Sequence, residues 1–205
     1  FLLYMVPRYP DITFINLDKL TYASDLDNLK EISKRSNYFF VWGDIGDSET
    51  VNRVMSENVE AVVNFAAETH VDRSISSPHD FVYTNIKGCF NLLEASRKCN
   101  IKKYLQVSTD EVYGSLGPKE YFTESSPLAP NNPYAAGKAA ADCMTRAYFR
   151  TYGLNVNITR STNNYGPFQY REKFIPTVIY SALRDEPIPL YGDGLQIRDW
   201  LYVED

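Results

Sequence analysis

The strongest constraint on this chain is an alternation along its length. Short apolar runs rich in β-branched and aromatic residues are separated by longer stretches with helical spacing. Residues 12–17, 38–42, 61–65, 103–107 and 155–159 read as strands. Residues 61–65 are apolar at almost every position, the pattern of a parallel strand buried on both faces. Between the strands, residues 26–35 read as a short helix opened by Asp25 or Asp27, and residues 48–58 as a second. A long helix is expected over 78–98, with Pro78 near its first turn, where a missing N–H does no harm. Asn132-Pro133 opens another, with Asn as cap and Pro as first helical residue, and a further helix follows Lys173. Such alternation predicts an α/β fold: a doubly wound parallel sheet with helices on both faces. No internal repeat, linker or low-complexity tract interrupts it.

Composition removes several functions. The chain is 44% hydrophobic, enough to bury a core, so wholesale disorder is excluded. A net charge of −5 argues against broad binding to nucleic acid or acidic membranes, while leaving room for a local basic pocket that takes one phosphorylated ligand. No apolar run reaches the roughly 18 residues of a membrane span, and the apolar start at Phe1–Val6 lacks the basic flank of a signal peptide. Cys89, Cys99 and Cys143 form no Cys-x-x-Cys pair and cannot close a disulfide framework. They are expected as small buried groups in a reducing, cytoplasmic compartment. His70 and His79 have no metal-ligand spacing with another His or Cys, so no metal site is expected.

In doubly wound sheets ligands bind beyond the carboxyl ends of the strands. After the first strand comes Asp18-Lys19; an acid there can bond a ribose diol, or can be a solvated strand end. After the second comes Gly43-Asp44-Ile45, able to hold an adenine or to form a simple turn. After the third come the small residues Ala66 and Ala67, then Glu68-Thr69-His70. After the fourth, Ser108-Thr109-Asp110-Glu111-Val112-Tyr113-Gly114 sets two carboxylates side by side. That is costly if they are buried and ionised together, and suits a separated acid and base; an exposed acidic turn is the plain alternative.

The helix after Asn132 begins Tyr134-Ala135-Ala136-Gly137-Lys138, with Tyr and Lys at i and i+4 on one face. A tyrosine acting as a base near pH 7 needs its pKa lowered by about 3 units, or about 4 kcal/mol. One ammonium about 4 Å away supplies about that much at an effective dielectric near 20. Gly137, unfavourable inside a helix, implies that something packs against it. After the fifth strand, Asn163-Asn164-Tyr165-Gly166-Pro167 offers amide donors and acceptors, and Lys173 and Arg198 are candidate phosphate partners. Each of these signals alone also fits an ordinary core or surface residue.

Taken jointly, the motifs Ser-Thr-Asp-Glu-Val-Tyr-Gly, Asn-Pro-Tyr-Ala-Ala-Gly-Lys, Asn-Asn-Tyr-Gly-Pro and Gln-Ile-Arg-Asp-Trp-Leu-Tyr-Val-Glu-Asp closely resemble the dTDP-glucose 4,6-dehydratase family. That family lies in the extended short-chain dehydrogenase/reductase superfamily. Leu17–Ala23 and Ala66–Ser74 match as well, so the resemblance covers essentially the whole chain. Tyr-x-x-x-Lys marks the superfamily alone. The Asp-Glu pair is more specific, because the sugar epimerases lack it.

The resemblance implies an NAD-binding, Rossmann-type domain over 1–170 and the start of a nucleotide-sugar region over 171–205. It implies conversion of dTDP-glucose to its 4-keto-6-deoxy product plus water, through bound NAD. Tyr134, helped by Lys138 and Thr109, would take the 4-hydroxyl proton. Glu111 would take the C5 proton, and Asp110 would protonate the departing 6-hydroxyl. Asp18, Lys19, Thr21, Asp44, Ile45, Ala66, Ala67, Thr84, Tyr134, Lys138 and Asn164 would line the NAD site. Thr69, Thr109, Asn163, Lys173, Tyr191 and Arg198 would touch the nucleotide sugar. A homodimer would pack through helices near 78–98 and 133–152. Alternatives are another nucleotide-sugar dehydratase, such as one for GDP-mannose, a UDP-sugar epimerase, or a non-catalytic NAD-holding paralogue.

The family's glycine-rich pyrophosphate loop has no counterpart among the ten glycines. The sequence therefore reads as a piece of a longer protein, incomplete at both ends, with Phe1 inside the first helix. In the expected strand order 3-2-1-4-5-6 the missing strand is central. Strands 2 and 4 should then stand as unpaired edges, and the segment alone is expected neither to fold well nor to bind NAD.

Overall fold

The computed structural model describes residues 1–117 and 119–205. They form two compact units, Phe1–Arg160 and Ser161–Asp205. This division falls ahead of the 170/171 boundary read from the sequence.

The first unit begins with α1 (Leu2–Arg8), β1 (Phe14–Asp18), β2 (Tyr38–Trp42), α2 (Ser48–Met55) and β3 (Ala61–Asn64). Next come α3 (Val71–Ser76), α4 (Pro78–Phe81), a π-helical stretch Val82–Gly88, and α5 (Cys89–Lys98). It ends with β4 (Lys103–Thr109), a 3-10 turn Asp110–Tyr113, α6 (Pro133–Tyr152) and β5 (Val156–Ser161). β1 runs parallel to β2, with Asp18 opposite Trp42. β3 runs parallel to β4, with Asn64 opposite Gln106, and β5 lies on the far side of β4. The strands thus fall into two sheets, and among the described residues β1 and β3 are each paired on one side. These are the second and fourth strands of the doubly wound order, the two expected to stand as edges.

Each sheet has its own apolar packing. Val6 of α1, Ile32 and Tyr38 form one buried cluster beside β1 and β2. Val51, Met55, Leu92, Leu93, Tyr104, Ala141 and Tyr148 belong to a larger one, in which α2, α5 and α6 meet β4. Apolar burial of this kind, at about 25 cal/mol per Å², is the main force holding the helices to the strands. α6 is bounded as its sequence implies. The Asn132 side chain accepts from the Ala135 N–H at 2.8 Å, Pro133 opens the first turn, and Gly153 ends the helix in the left-handed region at φ +72°.

Several expectations need correction. Residues 26–35 do not form an α-helix. Leu26–Leu29 is a 3-10 turn capped by Asp25, and the bonds Lys30→Asp27, Ile32→Leu29 and Arg35→Ile32 all close at i−3. The Asp25 side chain takes the Asp27 N–H at 2.9 Å, and Ile32 is the buried anchor of the stretch. The helix expected over 78–98 is interrupted by the π-helical stretch, which inserts an extra residue per turn and carries the buried Thr84 and Asn85. Of the cysteines, Cys89 is buried but Cys99 and Cys143 are exposed. Cys99 follows the last residue of α5, and Cys143 lies off the face of α6 that buries Ala135, Ala139 and Asp142.

Gly114 ends the acidic turn at φ +91°, and a Cβ there would lie 2.4 Å from the Ala129 carbonyl oxygen. Both the backbone angle and the space exclude a side chain. Gly114→Ala is expected to cost about 2–3 kcal/mol, read as a lowered denaturation midpoint of the intact protein.

In the second unit, β6 (Asn163–Tyr165) runs parallel to β7 (Trp200–Tyr202), with Asn163 opposite Trp200. α7 (Phe174–Leu183) stacks Phe174 on Trp200 at 6.2 Å. These three-residue strands are too short for a hydrophobic period to reveal. No helix among the described residues is long and apolar enough to cross a membrane.

Candidate active site

The carboxyl ends of the first unit's strands carry part of the set singled out by sequence. Asp18 ends β1, and its Oδ1 accepts from the Leu20 N–H at 2.8 Å. Leu20 takes φ +54°, which turns the chain sharply after the strand. Past β2, Asp44 Oδ1 accepts from the Gly46 N–H at 2.7 Å, while Oδ2 pairs with Lys19 Nζ at 3.2 Å. The ends of β1 and β2 are therefore tied by an ion pair. Thr21 is half-buried in the loop after β1 and accepts from the Ser24 N–H through its carbonyl. Ile45 is buried in the core, its side chain against Gly88, where a Cβ would sit 2.6 Å from Ile45 Cδ1.

Beyond β3, Ala66 and Ala67 are half-buried and Thr69 is exposed. This loop is held by a residue that sequence reasoning missed. Asn85 of the π-helical stretch accepts from the Glu68 N–H at 2.9 Å and donates to the Glu68 carbonyl at 3.0 Å. Its Cβ lies 3.4 Å from where a Cβ on Gly137 would be. Gly137 thus lets the π-helical stretch approach the Tyr-Ala-Ala-Gly-Lys turn, as the cost of a mid-helix glycine implied. The neighbouring Thr84 is buried, and its hydroxyl has no hydrogen-bond partner among the described residues. Such an orphaned polar atom calls for a ligand or water.

Asp110 and Glu111 open the 3-10 turn after β4. Thr109 organises both: its Oγ1 accepts from the Glu111 N–H at 3.2 Å and donates to Asp110 Oδ1 at 3.2 Å. Glu111 Oε2 accepts from Asn132 Nδ2 at 3.2 Å. Asn132 also caps α6, so one amide ties the acid pair to the helix that carries Tyr134 and Lys138. The sequence shows Asn132 as a cap; its second bond depends on how two distant segments meet.

Tyr134 and Lys138 are both buried on one face of α6. Tyr134 stands edge-on to Phe81 at 6.5 Å, and Lys138 Nζ donates to the Val107 carbonyl at 2.6 Å. Burial raises the Tyr134 phenol well above its ordinary value, and the Glu111 carboxylate pushes the same way, against a Thr109 hydrogen bond that lowers it. Burial also lowers Lys138. In the chain by itself, then, desolvation outweighs the ammonium field that the Tyr–Lys spacing suggests.

Asn163, Asn164, Lys173, Tyr191 and Arg198 all fall in the second unit. Asn164 donates to Ser161 Oγ at 3.0 Å, Lys173 immediately precedes α7 and pairs with Glu172 at 3.6 Å, and Arg198 donates to the Ile197 carbonyl at 2.7 Å. Tyr191 and Arg198 are exposed.

A parallel α/β unit with acids beyond its strands and a buried Tyr–Lys pair defines the class of nucleotide-binding proteins that work at strand carboxyl ends. The family model described as GDP-mannose 4,6 dehydratase matches residues 2–205, and the chain belongs to that family. It is 50% identical over 204 residues to a dTDP-glucose 4,6-dehydratase of Xanthomonas campestris pv. campestris (strain B100), covering 95% of this chain and 58% of that protein. The crystal structure of DesIV, a dTDP-glucose 4,6-dehydratase from Streptomyces venezuelae with NAD bound, superposes with a TM-score of 0.92 at 46% identity, covering 99% of this chain and 63% of that one. A UDP-glucuronic acid 4-epimerase from Bacillus cereus also superposes with a TM-score of 0.92, at 23% identity and over 99% of this chain and 65% of that one, which shows a shared fold alone. The chain thus spans about three-fifths of the length of these proteins.

Proposed function

We propose that this chain carries the cofactor-binding and catalytic residues of a dTDP-glucose 4,6-dehydratase. The enzyme converts dTDP-glucose to dTDP-4-keto-6-deoxyglucose and water, with NAD as resident cofactor. One observation carries this reading: Asn132 caps the Tyr134–Lys138 helix and also holds Glu111, so the acid pair meets the Tyr–Lys pair. An epimerase needs the Tyr–Lys pair but has no elimination for Asp110 and Glu111 to serve. The name and 50% identity of the Xanthomonas relative support the substrate.

The residues present suit NAD. Asp18 would bond the ribose hydroxyls, with Lys19 and Thr21 beside it. Asp44 and Ile45 would hold the adenine. Ala66 and Ala67 leave room for close approach, and the orphaned Thr84 hydroxyl offers a polar contact. Tyr134 and Lys138 complete the set. When bound, NAD supplies the oxidant for C4 and, later in the same turnover, the reductant for C6. Tyr134 Oη accepts the proton of the sugar 4-hydroxyl, steadied by Thr109. The ketone at C4 acidifies the C5 hydrogen, and the Glu111 carboxylate removes it. Asp110 gives its proton to the 6-hydroxyl, which leaves as water. Glu111 then returns a proton to C5, and the proton held at Tyr134 reaches Asp110 through solvent, so the cycle closes with net loss of one water. Thr69 and Thr109 are assigned to the sugar side of the site. Two copies would pair in the cytoplasm through the helical stretches near 78–98 and 133–152, a role supported by the exposed Val82, Phe90 and Phe149.

The test incubates the intact protein separately with dTDP-glucose, UDP-glucose and GDP-mannose and follows product masses. Loss of one water from dTDP-glucose alone is the expected result. Loss from a different nucleotide sugar keeps the reaction and moves the substrate. No mass change with any of them, in protein that holds NAD, overturns the reading in favour of an epimerase or a non-catalytic protein.

A further inference from the structure

Behind the Tyr–Lys pair lies an ion pair, buried on its carboxylate side and part-exposed at the guanidinium, that the reaction above does not use. Asp142 follows Lys138 by one helical turn on the same face of α6, is 1% exposed, and accepts from Arg160 Nε at 2.7 Å. Arg160, at the end of β5, also donates from Nη1 to the Tyr113 hydroxyl at 2.7 Å, and its guanidinium lies 4.9 Å from the Tyr113 ring centre. Tyr113 is the last residue of the turn that begins with Asp110 and Glu111. Its ring is buried and stacks on Phe122 at 5.0 Å. A single guanidinium therefore links the far end of the acidic turn to the helix of Tyr134 and Lys138. Asn132 makes the corresponding link at the near end.

A buried ion pair is a poor source of stability, because desolvation offsets most of the attraction, and apolar residues often do as well. What it supplies is direction. Arginine's planar fork fixes two partners at set angles, which lysine's point charge cannot do. A 3-10 turn of four residues has few bonds of its own, so its orientation depends on such outside contacts.

We propose that Arg160, anchored by Asp142 and acting through the Tyr113 hydroxyl, is a positioning residue that sets the Asp110–Glu111 turn against the Tyr134–Lys138 face for elimination. This rests on the dehydratase reading given above. The pair serves the elimination half of the reaction rather than the oxidation half, since the link ends on the acid-bearing turn.

The experiment compares Tyr113→Phe and Arg160→Lys with the wild type in the intact protein. Wild-type conversion of dTDP-glucose is measured first; if no water is lost there, it is the dehydratase reading that fails. Given wild-type turnover, both variants are expected to lose about tenfold in kcat, the size of one charge-assisted hydrogen bond, with KM unchanged. Reduced nicotinamide should build up during turnover, because elimination then lags oxidation. Amide hydrogen exchange at 110–113 should speed up while that of α6 stays as in the wild type. Tyr113→Phe keeps the ring and its stack on Phe122, so it separates positioning from folding. Wild-type kcat and wild-type exchange in Tyr113→Phe would overturn the proposal. So would a loss in which KM, kcat and melting temperature all move together, since that marks a general structural role.

Discussion

Tyr134→Phe is expected to lower kcat by roughly 10²–10⁴-fold while leaving the fold and KM nearly unchanged. The substitution removes one oxygen and keeps the ring, which is 8% exposed and edge-on to Phe81, so packing survives. What is lost is the atom proposed to accept the 4-hydroxyl proton. The first half of the reaction then stops, and no reduced nicotinamide should form when dTDP-glucose is added. The same phenol predicts a pH profile. Burial and the Glu111 carboxylate raise its pKa, so the basic form is the minor one at neutral pH. Its fraction, and with it the rate, should climb as pH rises toward that pKa. The alkaline rise should vanish in Tyr134→Phe. A pH-independent residual rate equal to that of the wild type would remove Tyr134 from the mechanism.

Glu111→Gln is expected to separate the two halves of the reaction. Glutamine keeps an oxygen to accept from Asn132 Nδ2, the bond Glu111 makes at 3.2 Å, so the turn should hold its place. It cannot take a proton from carbon. Water loss should fall roughly 10²–10⁴-fold, while oxidation at C4 continues and reduced nicotinamide accumulates. In heavy water the wild type should place deuterium at C5 of the product; the variant should not exchange that position. Asp110→Asn should behave differently, slowing departure of the 6-hydroxyl while leaving C5 exchange intact. If C5 exchange persists in Glu111→Gln and disappears in Asp110→Asn, the two roles are reversed.

These expectations draw unevenly on sequence and structure. The strand positions 38–42 and 103–107 and the cap at Asn132 were legible in the sequence, because each depends on near neighbours. A parallel strand shows in an apolar run, and a helix start in a side-chain oxygen before the first turn. The Tyr134–Lys138 face and the adjacent acids could be read the same way, from spacing alone. The 3-10 turn at Leu26–Leu29 and the π-helical stretch at Val82–Gly88 could not. Their helical pattern was present, but local side-chain competition decided the first. The second sits where Gly88 packs on Ile45 and Asn85 binds the Glu68 backbone.

By itself the sequence determined the order of β1–β5, the start of α6, and which residue types stand at the termini of those strands, since these follow from local backbone preferences and side-chain periodicity. The tertiary structure alone decided the bonds between segments far apart in the chain. Asn132 reaches Glu111 across 21 residues, Asn85 reaches Glu68 across 17, and Arg160 reaches Tyr113 across 47. It also decided the sense of the Tyr134 shift. Desolvation depends on how much protein surrounds the phenol, and the Lys138 ammonium is directed to the Val107 carbonyl. Neither quantity is carried by the four-residue spacing of a tyrosine and a lysine.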